Sequence, residues 1–313
     1  MVFRRLLDEF PTSPRAADAR LNLAESAYQS KKLDEVEKLL APLVAETQTS
    51  QEKVDPVVLR QALYRWGRTL ADRRDWANAS AVFNRLESLT SKDDPIPSRE
   101  ARFWKAEVAF QAGEAQAALD ALKGLLDEAP RTTDPLDPKP EDWLQLAKIR
   151  RLQALILLEK WQEANDLATT LEPEFGPTDP LRAELDYARG RSLQGLARFD
   201  EARAAYQSVI DSRKAGELAA RAQFMRGETF FHQRDFKTAR REFLKVDILY
   251  DAPRWQAAAL LEAGKVYEQL AEWAGALETY DRLVTKFPKE AGAEDARKRM
   301  ETVRGKLLGT GAR

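Results

Sequence analysis

Apolar residues recur three and four positions apart along most of the chain, and this spacing places them on one face of an α-helix. One such stretch, within 217–233, has four apolar residues among charged ones: Leu218, Ala222, Met225 and Phe230. The next stretch, within 236–249, has Ala239, Phe243, Val246 and Leu249. The polar segment 233–235 separates the two. No segment shows the alternation of a β-strand. The pattern therefore predicts an all-α fold of helix pairs, whose members we name helix A and helix B.

These pairs repeat every 37 residues in the C-terminal half of the chain. One register of helix A holds Gly190, Gly227 and Gly264. Three registers of helix B keep the same step: Ala202, Ala239 and Ala276; Tyr206, Phe243 and Tyr280; and Phe199, Phe236 and Trp273. A fixed period of about 20 to 50 residues is typical of solenoid proteins, in which each unit stacks on the next.

The repeat continues towards the N-terminus with drift. The small residue of helix A is Ala24, Gly67 and Ala106 in the first three units, but Leu152 takes its place in the fourth. The small residue of helix B is Ala79, Ala118 and Ala164 in the second to fourth units, whereas the first has Val36. The largest insertion, 129–140, contains four prolines and is predicted to be a surface loop.

We therefore expect one domain spanning 1–313. It contains seven helix pairs within 14–288, a partial helix B at 1–11 before them, and a polar capping helix at 292–308 that covers the open end. The separation of Phe3 and Pro11 equals that of Tyr280 and Pro288, so the chain begins inside a helix B whose helix A is missing. This start predicts a fragment, a processed form or upstream repeats.

Two segments carry a resemblance to the tetratricopeptide repeat family. Helix 236–249, with Ala239 followed by Phe243, is similar to a helix B of that family, and Tyr280 followed by Phe287-Pro288 resembles its repeat ending. The resemblance covers nearly the whole chain, although the period of 37 exceeds the family's usual value of about 34. It implies a right-handed superhelical solenoid with helices A on the concave side. The endings Phe10-Pro11 and Phe287-Pro288 are similar to those of bacterial envelope proteins, which favours the bacterial periplasm or envelope over the cytoplasm.

The glycine register predicts how the two helices of a unit pack. Glycine inside a helix costs about 1 kcal/mol relative to alanine, so its recurrence indicates that a larger side chain does not fit. We expect Gly227 and Ala239 at the crossing of helices A and B, with Phe236 and Phe243 against the neighbouring unit. Leucine at position 227 is then expected to lower the free energy of unfolding by about 1–3 kcal/mol. A thermal melt of Gly227→Leu equal to that of the wild type would contradict this register.

The concave face is the predicted binding site. Residues six and three positions before the small residue of helix A, and one and four after it, share one helical face. We predict that ten of them bind a partner: Tyr64, Arg68, Phe103, Glu107, Phe110, Tyr187, Arg191, Phe224, Glu228 and Phe231. The same face also holds Tyr28, Glu184 and Arg221. Aromatic and arginine side chains are the usual anchors of protein interfaces. Any single aromatic is equally explained by packing between adjacent helices A, so the prediction concerns the whole face.

Composition narrows the function. The chain has no cysteine and one histidine, His232, which excludes thiol catalysis, cysteine-bound zinc and most histidine-based metal sites. Lysine and arginine total 50 and acidic residues 51, a balance that gives no support to nucleic-acid binding. No stretch reaches the roughly 20 apolar residues of a membrane span. We predict a non-catalytic, cofactor-free scaffold that binds a protein or peptide, with no nucleic acid and no membrane span.

Two alternatives stay open. The chain is an accessory superhelical region of a larger enzyme, such as an envelope glycan-processing protein, or it is an RNA-binding helical repeat, whose oligonucleotide binding would depend strongly on salt. A chaperone-tail clamp is disfavoured, because the lysine and asparagine places of that branch hold other residues, such as Tyr64 and Arg68.

Overall fold

A computed structural model describes residues 2–49, 54–89, 95–127, 141–212 and 216–310. Across these ranges the chain forms sixteen α-helices and one short 3-10 helix, with no strand. The predicted surface loop at 129–140 lies outside the described residues. The helical contacts divide the chain into two compact units, 1–158 and 159–313, which are described separately below.

Unit 1 contains eight helices within its described residues: α1 (Val2–Glu9), α2 (Ala16–Gln29), α3 (Leu33–Thr49), α4 (Pro56–Asp72), α5 (Trp76–Leu89), α6 (Pro95–Gln111), α7 (Ala115–Asp127) and α8 (Glu141–Leu157). Unit 2 contains the remaining helices: α9 (Trp161–Leu171), α10 (Arg182–Gly195), α11 (Phe199–Asp211), α12 (Gly216–His232), α13 (Phe236–Leu249), α14 (Pro253–Gln269), α15 (Trp273–Lys286) and α16 (Ala293–Thr310). The 3-10 helix, Glu172–Glu174, follows α9.

Within each unit, helices consecutive in the chain pack on one another, as expected of stacked helix pairs. Each helix A also contacts the next helix A along the chain. In unit 1, α2 contacts α4, α4 contacts α6, and α6 contacts α8. In unit 2, α10 contacts α12, α12 contacts α14, and α14 contacts the capping helix α16. No two helices B of a unit make a comparable contact in the described chain. The prediction of an all-α helical repeat solenoid is confirmed, and the helices A of each unit line one side, which we call its A-helix face.

The boundary between the units falls in the fourth predicted pair. Its helix A, α8, ends unit 1, and its helix B, α9, begins unit 2. This is also the pair in which Leu152 replaces the small residue of helix A. The single domain over 1–313 stays a prediction.

Each of the seven helices A is followed by one residue in the left-handed conformation. In α12 this residue is Arg234, with φ of 61°. The amide of Asp235 donates to the carbonyl of Phe230 at 3.0 Å, and that of Arg234 to Phe231 at 2.9 Å. This is the Schellman arrangement. The residues at the corresponding position are Lys31, Arg74, Gly113, Glu159, Ala197 and Ala271. Only one of them is glycine, so residue type alone does not indicate this turn.

The glycines of helix A lie directly against the aromatic rings of helix B. A methyl group placed on Gly227 would lie 2.7 Å from Cδ1 of Phe243, and one on Gly264 only 2.2 Å from Cε1 of Tyr280. Gly67 meets Phe83 and Gly190 meets Tyr206 in the same way. Because carbon atoms in contact are normally about 3.5–4.0 Å apart, no side chain fits. The predicted close crossing at Gly227 is confirmed.

Phe236 and Phe243 also pack within their own helix pair, which was not predicted. We expected both to fill space against the neighbouring unit of the repeat. Phe243 does share a core with Ala259 and Ala263 of the next helix A, but its ring lies on Gly227 of its own helix A. The ring of Phe236 contacts Phe231, also of its own helix A, with centroids 5.5 Å apart. The absent side chain at Gly227 makes room within the pair, and the aromatic ring takes it.

Helix α16 packs one face on α15 and exposes the other. Ala293, Ala296, Met300 and Val303 are buried in one core with residues of α14 and α15. On its flank, Arg299 donates to Glu268 of α14 at 3.1 Å. In the described part of the chain, no helix has both the length and the apolar character needed to cross a membrane.

Candidate functional site

The A-helix face of unit 1 carries arginines stacked on aromatic rings. The guanidinium carbon of Arg65 lies 4.1 Å from the ring centroid of Tyr28, and that of Arg68 lies 3.5 Å from the ring of Trp104. Arg65 also pairs with Glu25 at 2.6 Å. Arg68 donates to the Tyr64 hydroxyl at 3.2 Å, but no carboxylate among the described residues lies within ion-pair distance of it. Arg68 therefore keeps hydrogen-bonding capacity for another molecule.

Glu107 and Arg150 form a bidentate ion pair between α6 and α8. Arg150 Nε donates to Oε2 of Glu107 at 2.7 Å, and Nη2 donates to Oε1 at 3.0 Å. Glu107 is 9% exposed, so the pair is shielded from water on the carboxylate side. The guanidinium carbon of Arg150 lies 5.2 Å from the ring centroid of Phe110, which is half-buried. The carboxylate of Glu107 is thus fully engaged within the protein.

Phe103 lies in the core of unit 1. It is 1% exposed and packs against Trp104 and Trp143, with ring centroids 5.2 and 6.1 Å away. Its ring lies in a core with Leu122 and Leu125 of α7 and Ala147 of α8. A side chain so deeply covered is not available to a partner.

On the A-helix face of unit 2, two arginines reach between α10 and α12. The guanidinium carbon of Arg221, on α12, lies 4.6 Å from the ring centroid of Tyr187, on α10. Nη1 of Arg191, on α10, lies 3.4 Å from the sulfur of Met225, on α12. Tyr187 is only 5% exposed, so its ring is not itself available to a partner. It lies on the buried side of Arg221 and packs against the guanidinium group.

Aromatic rings continue this face towards α14. The half-buried Phe224 contacts Phe243 and Trp255, with ring centroids 5.3 and 5.5 Å away. Arg221 lies 5.5 Å from the same Trp255 ring. Phe231, one residue before the end of α12, is also half-buried. The face therefore places a cation beside a partly exposed apolar surface.

Glu228 has an altered acidity on this face. Burial raises its pKa from 4.5 to about 7, and the negative charge of Glu262 adds to the shift, while Arg191 and Lys265 oppose it. Its side chain is 24% exposed and lies 3.8 Å from Nε2 of His232. Burial also raises the pKa of Tyr187, and the charges of Arg221 and Arg191 oppose that rise. The protein thus holds a carboxyl group that titrates near neutral pH.

Four residues contribute to the two faces although the helical offsets from the small residue did not identify them: Arg65, Trp104, Arg150 and Trp255. Each comes from a helix A and meets a side chain of the next or previous one. The offsets are counted along a single helix, so they contain no information on contacts between two helices A. The abundance of tryptophan, seven in the chain, was the available signal. Within the described residues no group of acidic or histidine side chains is arranged to hold a metal ion.

Comparison with known sequences gives two matching family models, both described as tetratricopeptide repeat. The first matches 2–41, 64–131 and 187–252, and the second matches 258–290. Together the matched segments of the first model make up more than half of the chain. Among curated proteins, no match was found.

Solved structures with a similar fold have low sequence identity. A tetratricopeptide repeat protein from Parabacteroides merdae has a TM-score of 0.65 at 13% identity, over 93% of this chain and 99% of the other. The apo form of the quorum sensor NprR from B. thuringiensis has a TM-score of 0.62 at 14% identity, over 93% and 81%. YrrB, described as a tetratricopeptide repeat protein with an unusual peptide-binding site, has a TM-score of 0.52 at 14% identity, over 71% and 97%.

Proposed function

Because the chain belongs to the tetratricopeptide repeat family, whose members are generally non-catalytic interaction scaffolds, we propose that it binds a peptide segment of a partner protein on its A-helix faces. The observation that carries this proposal is the set of arginines stacked on aromatic rings of the helices A. Arg68 on Trp104 represents it in unit 1, and Arg221 between Tyr187 and Trp255 represents it in unit 2.

The physical chemistry of these stacks suits recognition. Tryptophan, tyrosine and arginine dominate the binding energy of protein interfaces. A guanidinium stacked on a ring keeps its N–H groups at the edge, where they remain able to donate to a ligand. Because the ring also holds the arginine in one orientation, little side-chain entropy is lost on binding. A segment lying along helices A would meet such groups one helix after another.

The structural relatives support a peptide as the ligand. YrrB is described by its peptide-binding site, and another relative, a Rap protein with a TM-score of 0.53 at 14% identity, was solved in complex with Competence and Sporulation Factor. The proposed compartment remains the bacterial envelope, on the two Phe-Pro repeat endings.

Selection of peptides from a random display library tests the proposal. Two variants alter the faces, Arg68→Ala with Trp104→Ala, and Arg221→Ala with Trp255→Ala. The matched control, Lys237→Ala with Arg241→Ala, changes two exposed residues of helix B α13. We expect peptides enriched on the wild type to bind at least one face variant about tenfold more weakly, and the control without change.

Each variant must also show the same thermal unfolding as the wild type, measured by the loss of helical signal, so that weaker binding is not caused by unfolding. Peptides that bind all proteins equally would contradict a site on the A-helix faces. Failure to enrich any peptide would contradict peptide binding and favour the alternative, in which the chain serves as an accessory region of a larger enzyme.

A further inference from the structure

Arg191 and Arg221 differ from the other arginines of α10 and α12. Arg182, also on α10, pairs with Asp186 at 3.0 Å, and Arg226, also on α12, pairs with Glu242 at 3.4 Å. By contrast, no carboxylate of the described chain lies within ion-pair distance of Arg191 or Arg221. Their contacts are with the sulfur of Met225 and the rings of Tyr187 and Trp255.

These two arginines act on the same small region. Arg221 sits one helical turn before Met225, the residue that Arg191 reaches, and it extends back over Tyr187, one turn before Arg191. Both positive charges oppose the rise that burial causes in the pKa of Tyr187, and both do the same for Tyr206 beneath it. The acidic group that acts on Arg191 within the described residues is Glu228, whose pKa burial raises to about 7, so it supplies only part of a negative charge near neutral pH. A bound carboxylate would supply the remainder and be attracted by both guanidinium groups.

We propose that Arg191 and Arg221 bind the side-chain carboxylate of an aspartate or glutamate in an acidic segment of a partner protein. This inference rests on the proposed function and specifies the ligand of the unit 2 face. A guanidinium donates two parallel hydrogen bonds to a carboxylate, which makes arginine well suited to this group.

The surroundings of the pair define the rest of the ligand. Arg221 also contacts the ring of Trp255, which packs with Phe224 at a centroid distance of 5.5 Å. Both rings are half-buried, so part of each is available to an apolar group. The segment therefore has an apolar side chain close to its acidic one, the first lying at Trp255 and the second between Arg191 and Arg221.

Binding of two matched peptides to the full chain tests the proposal. The probe is a peptide of about twelve residues in which glutamate alternates with leucine and serine, acetylated and amidated so that its only carboxylates are side chains. Its partner has glutamine in place of every glutamate. Fluorescence anisotropy at low salt is expected to show binding of the glutamate peptide, weakened by added salt, and binding of the glutamine peptide about tenfold to a hundredfold weaker.

Variants locate the effect. Arg221→Gln, at an exposed position, and Arg191→Gln are each expected to weaken the glutamate peptide about tenfold or more, while leaving the glutamine peptide unchanged. Arg221→Lys keeps the charge without the guanidinium geometry and is expected to fall between wild type and Arg221→Gln. Arg241→Gln, on helix B of the same unit, is the control and should bind as the wild type does.

Equal binding of the two peptides, or wild-type binding by both glutamine variants, would overturn the proposal. So would failure of the wild type to bind the glutamate peptide. If the display library still yields peptides that depend on the A-helix faces, the proposed function stands and only the acidic ligand is wrong. If it yields none, both fail.

Discussion

Replacing Gly264 with leucine is expected to lower the free energy of unfolding by about 3 kcal/mol, the upper part of the range for overpacked cores. A β-carbon at this position would lie 2.2 Å from Cε1 of Tyr280 and 2.6 Å from its Cζ. Tyr280 is fully buried, and its hydroxyl donates to Glu268, so the ring cannot move aside without losing that hydrogen bond. Relief then requires α14 and α15 to separate, which opens the core they share with α16.

Denaturant unfolding followed by circular dichroism measures this effect. Gly305→Ala is the matched control, because Gly305 also lies inside a helix, α16, but an added β-carbon there would have no atom within 4 Å apart from its chain neighbours and the backbone of its own helix. There the gain in helix propensity acts alone, and stability should rise by as much as about 1 kcal/mol. A Gly264→Leu variant as stable as the wild type would show that glycine is not required for this packing.

The glycine contacts show what the sequence pattern could and could not reveal. The period of 37 gave both the glycine and the aromatic register, and it predicted that helices A and B approach closely at Gly227. It did not reveal that Phe243 fills the space above that glycine, because periodicity identifies equivalent positions and not which positions touch. The separation of 16 residues is the same in the pairs Gly67 with Phe83, Gly190 with Tyr206, Gly227 with Phe243 and Gly264 with Tyr280.

The binding face was harder to predict than the fold. Helical offsets identify the side of helix A on which a residue lies, but not how far its side chain is covered by the next helix. Tyr64 and Phe103 share one offset, yet Tyr64 is half-buried and Phe103 is in the core. The stacks of Arg68 on Trp104 and of Arg221 on Trp255 join two helices A, so they depend on tertiary packing that the offsets do not contain.

The second large effect that we expect is a change in the free energy of unfolding with pH, caused by Glu228. The pKa of Glu228 is about 7 in the folded protein and 4.5 in the unfolded chain. Between these two pH values, the folded state therefore binds more protons than the unfolded state. The free energy of unfolding therefore falls as pH rises through this window, by at most about 3 kcal/mol. Because the side chain is 24% exposed, solvent screening makes this an upper bound.

Glu228→Gln removes the ionisation and nearly keeps the shape of the side chain. We expect the variant to match the wild type near pH 4.5, where Glu228 is largely neutral, and to exceed it in stability near pH 8 by up to about 3 kcal/mol. Denaturant unfolding at several pH values measures the difference, in which all other groups cancel. The charged groups around the carboxyl are Arg191 on α10 and Glu262 and Lys265 on α14, and the imidazole of His232 lies beside it on α12.

Two controls isolate the origin of this pH dependence. Glu301→Gln, at an exposed position of α16, should leave the pH profile of stability unchanged. Repeating the Glu228→Gln comparison in a His232→Gln background removes any contribution of the imidazole, and the difference between about pH 4.5 and pH 8 should persist. A stability difference that stays constant across this range would show that Glu228 ionises as easily in the folded protein as in the unfolded one. Burial and the charge of Glu262 would then not disfavour the ionised form of Glu228. This outcome would mean that water reaches the carboxylate on the A-helix face of the folded protein.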